Sequence, residues 1–164
     1  EIAQTLGISK RTLYEMFADK NDLISACLDD LARRQRQRIA ASRRRRSGNP
    51  LQRTLRLAND YIDSLYTVDH SFLADIRRKV LFAEQYDEHR EFWRKELSLN
   101  LEECRGGRLL LSEIDTAALA EQLMSTLFEL RLNRTTREEL YLLCRTILRG
   151  AATQQGIDLI DRKP

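Results

Sequence analysis

Two prolines and six glycines in 164 residues are too few for the many tight turns of an all-β chain. Cysteine is scarce too: Cys27, Cys104 and Cys144 are odd in number, far apart and without a CxxC pair. That spacing excludes a disulfide scaffold and a zinc finger, and makes a reducing, cytoplasmic setting the expectation. His70 and His89 are the only histidines, and neither has a second ligand at metal spacing. Asp87 and His89, two residues apart, point to different faces of a helix. Neither a metal nor a cofactor is expected. Uncharged runs approaching the length of a membrane span are missing as well, so no membrane partner is expected. A Ser-His-Asp order, a Gly-rich phosphate loop and a Cys-His pair are all absent, so the chain does not read as an enzyme.

What remains is a chain rich in Leu, Ala, Arg and Glu, all strong helix formers, with 42% apolar and 32% charged residues. An all-α fold with a proper core follows. The net charge of +3 is unevenly spread: residues 1–46 carry 11 Lys/Arg against 6 Asp/Glu, and residues 47–164 carry 17 against 19. The amino end therefore calls for a polyanion partner, and the remainder for a different task.

Local signals predict the helices in order. Ile2 to Leu6 reads as the tail of a helix stopped by Gly7. Ser9 can cap a short helix through about Phe17, and Asp19, with Asp22 at the capping-box position, can open a longer one to about Ser42. "SRRRRSGNP" ends it. Further helices are expected from near Leu51 to Leu65, and across "VDHSFLADIRRKVLF" with Phe72, Ile76 and Val80 on one face. The next starts near Asp87, with Trp93, Leu97, Leu101 and Cys104 on one side, and ends at Gly106 and Gly107. Asp115 caps a helix to about Leu132, and Thr136 with Glu139 caps another to Gly150, leaving a weakly helical tail.

The opening residues meet the demands of a helix-turn-helix. Two short helices crossing over a tight turn need a small contact residue, a turn residue and a few apolar pins. Ala3, Gly7, Ile8, Leu13 and Phe17 supply these in sequence. With the pins buried, Ser9, Lys10, Arg11, Thr12, Tyr14 and Glu15 face outward, and Lys20 opens the following helix. Apart from Glu15, which can only accept, these side chains donate to phosphates and base edges. Pattern alone leaves open a basic helical hairpin with a solvated face.

The stretch "IAQTLGISKRTLYEMFADKNDLISACL" resembles the amino-terminal signature of the TetR (tetracycline-repressor) family of transcriptional regulators: an Ile-Ala pair, Gly, a hydrophobe, Ser-Lys-x-Thr-Leu-Tyr, an aromatic, Lys and an apolar helix. The resemblance is specific over residues 1–45, and rests on helix count and length over 46–164. It implies a helix-turn-helix DNA-binding domain with its connecting helix in 1–45, and a helical regulatory and dimerisation domain in 46–164. Ser9, Lys10, Arg11, Thr12, Tyr14 and Lys20 would contact double-stranded operator DNA. One departure stands out, because the family's first helix is missing from this chain, and roughly 15 to 30 residues are expected ahead of Glu1.

The family layout further implies a homodimer, most often a repressor, released from a palindromic operator by a small-molecule effector. Phe72, Arg77, Trp93, Leu97 and Asn100 are the candidate lining of an effector pocket between the middle helices. The dimer interface is expected on the last two strong helices, where Leu119, Leu123, Leu127 and Leu130 form one stripe and Leu140, Leu143 and Ile147 another. Arg43 to Arg46 are not assigned to DNA, because about 23 helical residues beyond Lys20 put them ~35 Å away. Two other readings remain: a helix-turn-helix regulator answering to a protein partner, and an all-α enzyme or scaffold with an incidental basic hairpin.

Overall fold

A computed structural model of the chain describes residues 9–45, 48–78 and 80–161, the side chains of Lys10, Leu13 and Arg45 excepted. Among these residues it is all-helical, with eight α-helices, one 3₁₀ turn and no strand. The helices are α1 (Lys10–Met16), α2 (Lys20–Arg45), α3 (Pro50–Leu65), α4 (His70–Arg78), α5 (Ala83–Gly106), α6 (Thr116–Leu132), α7 (Arg137–Gly150) and α8 (Gln154–Asp161). The chain divides into two units, Glu1–Arg43 and Arg44–Pro164. The expected helix over Ile2 to Leu6, with Ala3, Gly7 and Ile8, lies outside the described residues.

Helix starts follow side-chain caps. Ser9 Oγ accepts from Thr12 N at 3.0 Å, and Asp19 Oδ1 accepts from Asn21 N and Asp22 N at 2.7 and 2.9 Å. Asp22 returns a bond, but to Ala18 N at 3.0 Å rather than to Asp19. At α3, Asn49 and Gln52 form a full capping box, with Pro50 in the first turn where its missing N–H costs nothing. Gly48 precedes it at φ +85°, a conformation that suits glycine. Asp115 caps α6, and Thr136 with Glu139 caps α7.

In the larger unit α3 is central, packing against α5, α6, α7 and α8. It buries Leu51, Leu57, Ala58, Tyr61, Ile62 and Leu65. From α5 come Trp93, Leu97, Leu101 and Cys104, all fully buried as the periodicity predicted. Two local expectations need correction. The helix at His70 ends at Arg78 instead of continuing, so Val80 is 90% exposed and the buried pair is Leu73 and Ile76, with Phe72 only half-buried. The chain then makes a 3₁₀ turn over Val80–Phe82, which tucks Phe82 into the core and starts α5 at Ala83, one turn before Asp87.

The carboxy-terminal residues are more ordered than their composition implied. Leu110 and Ala152 form an antiparallel bridge, flanked by Leu111 N to Ala151 O and Thr153 N to Leu109 O, each 3.0 Å. This clasp presents Leu109 O to the first turn of α8, where a Cβ on Gly156 would lie 2.2 Å from it. Gly150 has nothing within 4 Å of its Cβ direction. The two glycines should therefore answer substitution with opposite signs. Gly156→Ala is expected to destabilise by about 1–3 kcal/mol through overpacking. Gly150→Ala, in the last turn of α7, is expected to be neutral or to stabilise by up to about 1 kcal/mol. Urea unfolding of both variants measures this, and an unaffected Gly156→Ala protein would rule out the clasp.

Candidate functional site

The residues expected to meet DNA lie on and beside α1. Ser9, Arg11, Thr12, Tyr14 and Lys20 are all exposed. Tyr14, 71% exposed, extends its ring into solvent. Lys10 opens the helix, and its side chain is outside the described residues. Ser9 and Thr12 have a local duty as well: Ser9 Oγ caps the helix and lies 2.9 Å from Thr12 Oγ1. Arg11 Nε donates to Glu15 Oε1 at 2.8 Å. Lys20, in the first turn of α2, adds a cation where the aligned backbone dipoles also favour an anion. Further along α2, Asp30 is held below the usual carboxylate range, chiefly by a hydrogen bond from Arg33, and also pairs with Arg34 at 2.6 Å. Those two cations are occupied within their own helix.

In the larger unit, the residues proposed to line an effector pocket are largely engaged already. Trp93 is fully buried, edge-on to Tyr61 and Phe92 at centroid distances of 5.5 and 5.7 Å. Its indole N–H needs an acceptor, and His89 Nε2 supplies one at 3.1 Å from one turn earlier on α5. That nitrogen must be the unprotonated one. Leu97 is fully buried beside it. Asn100 Nδ2 donates to Glu96 O of its own helix at 2.9 Å. Arg77, expected as a polar anchor, pairs with Glu129 of α6 and lies 5.8 Å from the centre of the Phe128 ring. Phe72 and Arg77 thus belong to α4, Trp93, Leu97 and Asn100 to α5, and both polar candidates already have partners.

For the dimer face a correction is required. Leu123, Leu127 and Leu140 are at most 1% exposed in the single chain, so they build its own core. A leucine stripe records that a face is covered, and here α3 and α5 cover it. Leu130, Leu143 and Ile147 are half-buried, whereas Leu142, which the stripes did not include, is 67% exposed.

Two polar groupings were not anticipated. Arg90 pairs with Glu121, which also accepts from Ser125 Oγ at 3.2 Å, joining α5 to α6. At the other end of the bundle Tyr141 Oη donates to Asp63, Arg137 lies 3.5 Å from the same carboxylate, and Arg131 sits 4.3 Å over the Tyr66 ring. His70 Nε2 meets Leu132 O at 2.6 Å, and since a carbonyl only accepts, that nitrogen carries hydrogen. Apart from Ser125–Glu121, one turn apart on α6, each contact joins residues 31 or more positions apart, and no local pattern announces them.

Among the described residues no group of His, Cys, Asp or Glu is arranged to hold a metal ion, and no helix is long and apolar enough to cross a membrane. Comparison with protein families, with curated proteins and with solved structures finds no match to the chain.

The tyrosines give this unit a pH signature. Burial raises Tyr61, Tyr66 and Tyr86, and burial together with the Asp63 carboxylate pushes Tyr141 up to about 12. Burial likewise lifts the Cys144 thiol to about 12. An acid whose pKa rises on folding stabilises the fold fully below its unfolded pKa, and that contribution is lost as pH rises toward the folded value. Stability measured by urea unfolding is therefore expected to fall between about pH 9 and 12, first through the thiol and then through the tyrosines. Tyr141→Phe should make the fall shallower, and an unchanged slope would remove Tyr141 from this account.

Proposed function

We propose that the chain is a DNA-binding transcriptional regulator of the TetR kind, a homodimer that grips a palindromic operator through α1 and the start of α2. The observation that carries the reading is α1 itself. It is a seven-residue helix capped by Ser9, presents Arg11, Thr12 and Tyr14 to solvent, and is followed at once by Lys20 on a second capped helix. The positive excess in residues 1–46 supplies the long-range attraction to a phosphate backbone. A palindrome needs two reading helices related by a two-fold axis, which is why a dimer accompanies the reading.

Release by a small effector, the family's usual regulation, requires the effector to bind the DNA-incompetent form more tightly than the competent one. Trp93 and Leu97 are filled by the chain's own side chains, and this favours a second reading in which a protein partner controls the regulator. Shifted emission of the sole tryptophan with a small apolar compound, and with no protein added, would decide for the effector.

Tyr14→Ala combined with Lys20→Ala is expected to lower affinity for promoter DNA about 100-fold, leaving unfolding and oligomeric state unchanged. Salt-sensitive binding that survives in the double variant would end the assignment to α1. On α7, Leu142→Glu with Ile147→Glu should convert the dimer to a folded monomer, read by light scattering. A dimer that persists moves the interface off this helix.

A further inference from the structure

Arg11 is more constrained than a surface cation need be. Its Nε donates to Glu15 Oε1 at 2.8 Å, with the two side chains 89% and 60% exposed. A pair so exposed contributes little to a helix in water, and Arg preceding Glu is the weaker order; it strengthens where contact in a groove removes solvent. Holding α1 together is therefore not its consequence. Its consequence is orientation. A guanidinium carries five N–H donors in one rigid plane, and spending Nε on Glu15 leaves the Nη1 and Nη2 donors at its far end. That end matches the O6 and N7 acceptors of guanine in the major groove. The carboxylate behind it also competes with phosphate for the guanidinium and is itself repelled by the backbone.

Other described side chains of α1 are poorer candidates for this task. Ser9 and Thr12 have their hydroxyls committed to each other and to the cap. Tyr14 has one hydroxyl, and Met16 is apolar. Resting on the DNA-reading assignment above, we propose that Arg11 reads a guanine edge in each half-site and that Glu15 is its positioning residue. The pair, rather than the charge of Arg11, then sets the sequence preference at that base pair.

Selection from randomised duplex DNA with the full-length protein, followed by affinities for single-base variants, tests this. The selected motif should contain a guanine whose replacement weakens binding about 10- to 100-fold. Arg11→Ala removes both end donors, so it should erase that preference while leaving the slope of log affinity against log salt nearly unchanged, because a cation that reads a base neutralises no phosphate. Glu15→Ala should lower discrimination about 5- to 10-fold at that base pair alone, with Glu15→Gln, which retains an acceptor, between Ala and wild type. Undiminished discrimination in Glu15→Ala overturns the positioning role, and a guanine preference that survives Arg11→Ala, or a motif without guanine, overturns the pair. A wild-type protein that selects no motif overturns the DNA-reading assignment itself.

Discussion

The larger unit is organised by the need to bury one indole. Trp93 is fully enclosed on α5, and a buried N–H without an acceptor would cost about 1–3 kcal/mol. His89, one turn earlier on the same helix, takes the bond. Because the polar edge is satisfied within α5, the rest of the ring is free for apolar contact with α3. There Tyr61 meets it edge-on and sends its own hydroxyl 3.4 Å to Met124 O of α6. Three helices are thus brought to one point with their polar atoms accounted for. Leu97, Leu101 and Cys104 continue the buried line along α5.

From that point the bundle is tied at its ends by longer-range polar contacts. Near the start of α4, His70 holds Leu132 O, Arg131 covers Tyr66, and Asp63 receives both Tyr141 and Arg137. At the opposite termini the Leu110–Ala152 bridge brings the loop before α6 against the start of α8. α4 itself is short and contributes only Leu73 and Ile76 to the buried interior. Its apolar face is therefore narrow, and bonds at its two ends, from His70 and Arg77, add to the hold of Leu73 and Ile76.

Local chemistry was legible in the sequence, and partner choice was not. Ser9, Asp19, Asp115 and Thr136 cap helices because a side-chain oxygen three residues ahead of a free N–H has little else to do, whatever the rest of the chain does. The stripe from Trp93 to Cys104 follows from helical period alone. Periodicity does not say whose surface covers a stripe, which is why Leu123, Leu127 and Leu140 could be assigned to a second chain while α3 and α5 already covered them. Val80 departs from expectation for a related reason: the period continues in sequence, but the helix ends at Arg78 and a 3₁₀ turn over Val80–Phe82 buries Phe82 instead. In the candidate DNA-reading segment, the residue types and the cap were readable. The Arg11–Glu15 contact lay at a spacing shared by many surface pairs and became specific only once both rotamers were seen.

Magnitudes also separate stability from the recognition proposed for α1. Arg77–Glu129 and Arg90–Glu121 are each about half exposed, so after solvent screening neither contributes more than ~1 kcal/mol. Truncating a buried side chain such as Trp93 or Leu97 would cost ~2–5 kcal/mol. Stability therefore resides in apolar burial on α3, α5 and α6, and the ion pairs chiefly set helix register. The face of α1 is almost free of burial, and its exposed side chains contribute little to folding. The DNA recognition proposed for α1 could therefore change through Arg11, Tyr14 or Glu15 at little cost to folding.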